Sequence, residues 1–208
     1  KQAYQWDVDY RVMVGVPIEG TEMEIDEVSN GVIFDEGGLK ITAFQVEHMP
    51  INMESGEVLG LRGETIGFRL DYKGHSVLFS GDTRSTEKSE INDIGKDVDL
   101  LIHEVQVPSP GATPEANLAN VSLSVHSTPE QVGHVFATTK PKMAVYSHII
   151  PPGITASDLE VATRPYYDGP LTVAHDFMEI ILTGDEIIVG EREKQSDGKF
   201  EDSKVLNK

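Results

Sequence analysis

Apolar positions along the chain fall into short runs separated by turn residues, and the runs change character near residue 80. Tyr4-Gln-Trp-Asp-Val-Asp-Tyr10 alternates large apolar with polar residues and reads as a strand, and Met23 and Ile25 alternate likewise. Val32-Ile33-Phe34 and Leu39 to Val46 flank Asp35-Glu36-Gly37-Gly38, a hairpin signal, and the second strand ends at Glu47-His48. Residues 51–63, rich in Gly, Asn and Glu, read as a loop. Thr65 to Tyr72 and His75 to Phe79 make a second hairpin around Lys73-Gly74. The first third is therefore mostly β.

From Asp82 onward strands alternate with helices. Ser85 to Lys96 reads as a helix capped by Ser85 or Thr86, with a thin apolar face of Ile91 and Ile94. Asp99 to Val105 is a buried strand, and residues 108–120 read as a loop. Thr128-Pro129-Glu130-Gln131 combines a cap, a proline at the first helical position and a glutamine three after the cap. Val132, Val135 and Phe136 give that helix its buried stripe. Met143 to Tyr146 is a strand presenting Ser147-His148, Ala156 to Thr163 a helix, and Leu171–Ala174, Phe177–Leu182 and Ile187–Val189 further strands. Neither a repeat nor a linker interrupts residues 1–191, which read as one α/β domain, and residues 192–208 read as a polar tail.

Polar groups sit at the ends of these elements. One strand ends in His48, one in Asp82 and one in His103-Glu104; His126 precedes the capped helix; and another strand ends in His148. Histidine and carboxylate are the zinc ligands available when cysteine is absent, and this chain has no cysteine. A carboxylate such as Asp82 can bridge two metals about 3.5–4 Å apart. Each residue also has a structural alternative: Asp82 as a turn or helix cap, His103 as a satisfied interior histidine, His75 and His134 as surface groups. His175 carries no assigned role.

Charge narrows the partners. Against 17 basic residues stand 35 acidic ones, a net charge of −18, which repels polyanions at long range and counts against a general nucleic-acid binder. No apolar run approaches the ~20 residues that span a bilayer. A soluble protein is expected, in the cytoplasm or periplasm.

Taken together, Ser80-Gly-Asp82-Thr-Arg84, Asp99-Leu-Leu-Ile-His-Glu104, His126-Ser-Thr-Pro-Glu-Gln131 and Tyr146-Ser-His148 resemble the C-terminal half of the ribonuclease Z-like branch of the metallo-β-lactamase superfamily. The strand ending in His48 and the late Ala174-His-Asp-Phe-Met-Glu179 resemble further strands of that branch, so the similarity runs from about residue 30 to 182. The resemblance implies an αββα sandwich with two divalent metal ions, zinc first and manganese as the alternative. It implies that His48 binds one metal, Asp82 bridges both and His148 binds the second. It also implies that His126, supported by Glu104, serves as proton donor or transition-state stabiliser. The expected chemistry is attack by metal-activated water on a phosphorus, sulfur or carbonyl centre.

Two departures shape the expectation. The family's His-x-His-x-Asp-His is absent, since no two histidines here lie two apart. We therefore expect Lys1 to be an internal point of a longer protein, with the facing half of the sandwich on the same or a separate chain. Alone, these 208 residues are expected to bind metal weakly and to be inactive. The second departure is the tight hairpin from Phe68 to Val77, which leaves no room between those strands for the arm of the tRNA-processing members. Ile149-Ile-Pro-Pro-Gly153 after His148 is closer to the arylsulfatase-like members. The expected function is hydrolysis of a small phosphate or sulfate ester, with a homodimer as a further option. The alternatives are ribonuclease Z-type tRNA 3′ processing and a non-catalytic binding member with an incomplete site.

Overall fold

A computed structural model describes residues 4–21, 27–49, 55, 65–108, 111, 113, 121–191 and the backbone of 204–205. Its centre is a seven-stranded sheet in which spatial order equals chain order: β1 (Gly31–Glu36), β2 (Leu39–Val46), β3 (Thr65–Tyr72), β4 (His75–Phe79), β5 (Leu100–Gln106), β6 (Met143–Ile150) and β7 (Leu171–Val173). The first four pair antiparallel as a meander, and β4 to β7 pair parallel. Gly37, Gly38, Lys73 and Gly74 all take positive φ, which two-residue hairpin turns require.

The parallel half is connected by helices α2 (Ile91–Ile94), α3 (Pro129–Thr139) and α4 (Ala156–Thr163). Because the strands are added in one direction, the crossovers share a hand and lie on one face. That face is the core: Phe44, Val46, Leu78, Leu101, Ala144 and Tyr146 of the sheet pack against Ile91, Val132, Val135, Phe136 and Leu159. The register puts Phe34, Tyr72 and Phe79 on the opposite face, where they are 41, 44 and 40 % exposed. A separate antiparallel sheet joins β8 (Met178–Thr183), β9 (Glu186–Glu191) and β10 (Lys204–Val205). Among the described residues, no helix is long and apolar enough to cross a membrane.

Helix α3 follows its expected start. Thr128 Oγ1 accepts from the Gln131 amide at 3.4 Å, and Gln131 Oε1 accepts from the Thr128 amide at 2.8 Å. The reciprocal pair satisfies two of the first turn's unpaired N–H groups. Other boundaries shift by one or two residues, except that β6 runs four residues past its expected end at Tyr146.

Two expectations fail. Tyr4–Tyr10 is not a strand but part of helix α1 (Gln5–Met13), which buries no residue. The alternation of Trp6, Val8 and Tyr10 selects a strand only where a neighbouring strand pairs with it. Here the polar positions lie four apart, and Gln5–Asp9 (2.9 Å) and Asp7–Arg11 (2.7 Å) bond along the helix. Ser85–Lys96 is likewise not one helix. Its first half closes a turn through Thr86 and Ser89, whose hydroxyls bond nearby backbone or each other, and only the turn Ile91–Ile94 is helical. Met23, Ile25, almost all of the loops at 51–63 and 108–120, and the tail beyond 191 except 204–205 lie outside the described residues.

Candidate metal centre

Strand direction decides what meets. β2 is two antiparallel steps from β4, so β2, β4, β5 and β6 all run the same way. Their C-terminal ends deliver His48, Asp82, Glu104 and His148 to one edge of the sheet. His126, two residues ahead of the Thr128 cap of α3, stands at that edge too. Ligand sites of open α/β sheets lie outside these carboxyl ends.

One donor atom each from His48, Asp82 and His126 lie within 4.8 Å of one another. His148 Nε2 is 3.4 Å from Asp82 Oδ2. The ring centroids of His48 and His126 are 4.9 Å apart, and those of His126 and His148 are 5.6 Å apart. Asp82 and His148 are exposed, His48 is partly buried and His126 is 7 % exposed. Every residue expected at the site from sequence therefore stands in one cluster.

Local backbone aims these groups. Gly81 has φ +61°, and a Cβ there would lie 3.1 Å from the Ile66 carbonyl, so glycine is needed one residue before Asp82. Opposite Glu104 and Val105 of β5, strand β6 presents Ser147 and then Ile149, which leaves His148 as the extra, bulged residue. Its φ is +43°, a strained value for a residue with a side chain. The bulge turns His148 out of the strand's alternation toward Asp82. His48 Nδ1 lies 2.9 Å from the Val125 carbonyl oxygen, so Nδ1 carries the proton and Nε2 is left free.

Beneath His126 lies Glu104, 3 % exposed. Its Oε1 accepts from the amides of Ser127 (2.8 Å) and Thr83 (3.3 Å). Its Oε2 sits 3.3 Å from His126 Nδ1, off the line of a hydrogen bond, so both buried atoms lack a bonded partner. Burial pushes the Glu104 carboxyl from 4.5 up to about 8, outweighing the two amides, with the Asp82 charge adding to the rise. Burial, and then His48, hold His126 below its ordinary 6.5. His103 is a satisfied interior histidine: Nδ1 donates to the Glu104 carbonyl (2.6 Å), and Nε2 accepts from Ser85 Oγ (2.9 Å). His134 is exposed beside Tyr166, and His75 lies 3.8 Å from Asp99, both away from the cluster. The sequence did not reveal the parts played by Val125, Thr83 and Ser127, because their partners lie 21 to 77 positions away in the chain.

The donor set suits a divalent cation. It is all imidazole and carboxylate, and tetrahedral zinc ligands about 2.1 Å from the metal lie about 3.4 Å apart. Side-chain movements of about 1 Å would close the cluster on an ion.

A sheet with helices on one face and a histidine–carboxylate cluster at its strand ends is the arrangement of the metallo-β-lactamase class. The chain belongs to the beta-lactamase superfamily domain family, which it matches over residues 8–149. It is 26 % identical to a ribonuclease Z of Mycobacterium avium, over 72 % of this chain and 49 % of that protein. It is also 26 % identical to a ribonuclease Z of Bacillus subtilis, over 76 % of this chain and 61 % of that protein. The chain thus spans less than two thirds of either relative. Among solved structures, the metallo-beta-lactamase fold protein YhfI of Bacillus subtilis superposes with a TM-score of 0.51 at 14 % identity, covering 68 % of this chain and 48 % of that one. That likeness shows the α/β fold.

Proposed function

We propose that this chain supplies one wall of the active site of a metal-dependent hydrolase that cleaves a small phosphate or sulfate ester. The observation that carries the reading is the convergence of His48, Asp82, His126 and His148 on one point at the sheet edge. His48, Asp82 and His148 would hold the metal, with Asp82 placed between the two histidines. When bound, zinc or manganese would polarise the ester and lower the pKa of water.

The chain's own residues then have separable tasks. The Val125 carbonyl keeps the His48 proton on Nδ1 and turns Nε2 toward the site. Glu104 stands behind His126, its Oε2 3.3 Å from Nδ1, where it would orient the imidazole toward a leaving-group oxygen. His126 is also near enough to His48 and Asp82 to be a ligand, and its metal dependence separates the two roles. The facing wall would come from a second sheet laid over Phe34, Tyr72 and Phe79, whose exposure supports a covered face there.

A second reading, tRNA 3′ processing, is favoured by the ribonuclease Z relatives. The net charge of −18 weighs against a polyanionic substrate. The test uses the natural full-length polypeptide with zinc or manganese at low salt. The substrates are bis-p-nitrophenyl phosphate, p-nitrophenyl sulfate and precursor tRNA. Turnover of a small ester that Asp82→Asn abolishes supports the first reading, and cleavage of precursor tRNA alone supports the second. If His126→Ala keeps its metal and loses turnover, His126 is the proton donor; if it loses metal, it is a ligand. No hydrolysis of any of the three substrates would refute the hydrolase reading.

A further inference from the structure

Ser127 lies outside the metal cluster, yet it bonds to two of the segments that build it, the end of β5 and the loop that carries Asp82. All its hydrogen-bonding groups are used, and it is completely buried. Its amide donates to Glu104 Oε1 at 2.8 Å, and its carbonyl accepts from the Gln106 amide at 2.8 Å, which ties it to the end of β5. Its hydroxyl donates to the Thr83 carbonyl at 2.6 Å and accepts from the Ser85 amide at 2.8 Å, which ties it to the loop carrying Asp82. Ser85 Oγ in turn donates to His103 Nε2, and His103 Nδ1 donates to the Glu104 carbonyl, closing a ring of bonds. The neighbours of Ser127 in the chain are His126 and, one residue earlier, Val125, whose carbonyl holds His48.

We infer that Ser127 is the positioning residue of the candidate metal centre, its hydroxyl clasping the Asp82 loop to the His126 loop. The inference rests on the metal-centre reading above. Asp82 is exposed and sits in a loop after β4 rather than in the strand, so backbone rigidity alone does not fix its distance from His126. The hydroxyl bridges Thr83 and Ser85, either side of Arg84, and so pins the loop just after Asp82. Without it the Thr83 carbonyl and Ser85 amide lose their partners at a buried point, and the loop must shift to find others. Displaced supporting groups around metal ligands lower affinity by about 10–100-fold.

The experiment is titration of the natural full-length polypeptide with Co2+, read by visible absorption and calorimetry, with thermal unfolding measured in parallel. Ser127→Ala is expected to weaken Co2+ affinity about 10–100-fold. Ser127→Cys, which keeps a weaker donor and acceptor at that position, should fall between alanine and wild type, and it carries the comparison if the alanine variant does not fold. Ser76→Ala is the control: it deletes a buried hydroxyl, bonded to the Asp99 amide at 3.0 Å, at the opposite end of the sheet. It should lower thermal stability while leaving Co2+ affinity within about twofold of wild type, as expected for a site more than 7–10 Å from the ligands. Wild-type affinity in the Ser127 variants, or an equal affinity loss in Ser76→Ala, overturns the clasp. A wild-type full-length polypeptide that binds no Co2+ overturns the metal-centre reading itself, and the clasp with it.

Discussion

Glu104 should make folding stability depend on pH in a definable window. The folded state keeps the Glu104 proton up to about 8, whereas the ordinary value is 4.5. Between those values the folded chain binds more protons than the unfolded one, so Glu104's contribution is complete below 4.5 and is lost as pH rises toward 8. His103 opposes it. Burial lowers that histidine from 6.5 to about 4, so the unfolded chain binds more protons there and stability rises from pH 4 to 6.5. Each group changes the unfolding free energy by about 1.4 kcal/mol per pH unit inside its window. From pH 4.5 to 6.5 the two slopes offset each other. From 6.5 to 8 Glu104 acts without that opposition, and the unfolding free energy should fall by about 2 kcal/mol. Urea unfolding followed by far-ultraviolet circular dichroism, in chelator between pH 5 and 8.5, reads this directly. Chelator is required because a bound cation would favour the ionised carboxyl. Glu104→Gln keeps the shape of the side chain and removes the titration, so its stability should be level between pH 6.5 and 8. A wild-type protein with no fall in that interval, or a glutamine variant with the same fall, would refute the assignment of the effect to burial of Glu104.

Two stability changes test the packing beneath the site. Thr128→Ala removes the cap of α3 and should cost about 1 kcal/mol in denaturant unfolding, with no change in slope. Gly67→Ala should destabilise by roughly 1–3 kcal/mol, because the new methyl meets the Phe44 ring and lies 2.8 Å from the Phe79 carbonyl. A neutral outcome at Gly67 would mean that β3 can move away from β2 without cost.

Some parts of the chain carried their own instructions. The two hairpins were visible because Asp35-Glu-Gly-Gly38 and Lys73-Gly74 supply the positive φ that tight turns need. Helix α3 was visible because capping groups and proline act within one turn of the chain. Helix α4 matched its expected span for the same reason, with Thr155 and Asp158 forming its cap. Helix α1 was misread because alternation and i,i+4 spacing coincide in Gln5-Trp-Asp-Val-Asp-Tyr-Arg11, and no neighbour enforces the strand. The turn ahead of α2 was misread because hydroxyl-to-backbone bonds compete with a helix in ways that periodicity does not register.

The sequence by itself determined the strands of the seven-stranded sheet, their turns and the set of histidines and carboxylates at their ends, because these depend on neighbours a few residues apart. It did not determine that β2 runs parallel to β4, β5 and β6, which is what brings His48 to the same edge as Asp82 and His148. Nor did it determine the bulge that turns His148 toward Asp82, the burial that lifts Glu104 to about 8, or the bonds of Ser127 to two other segments. Those features arise between residues 20 to 100 positions apart, where strand register and exclusion of water act and local pattern has no reach.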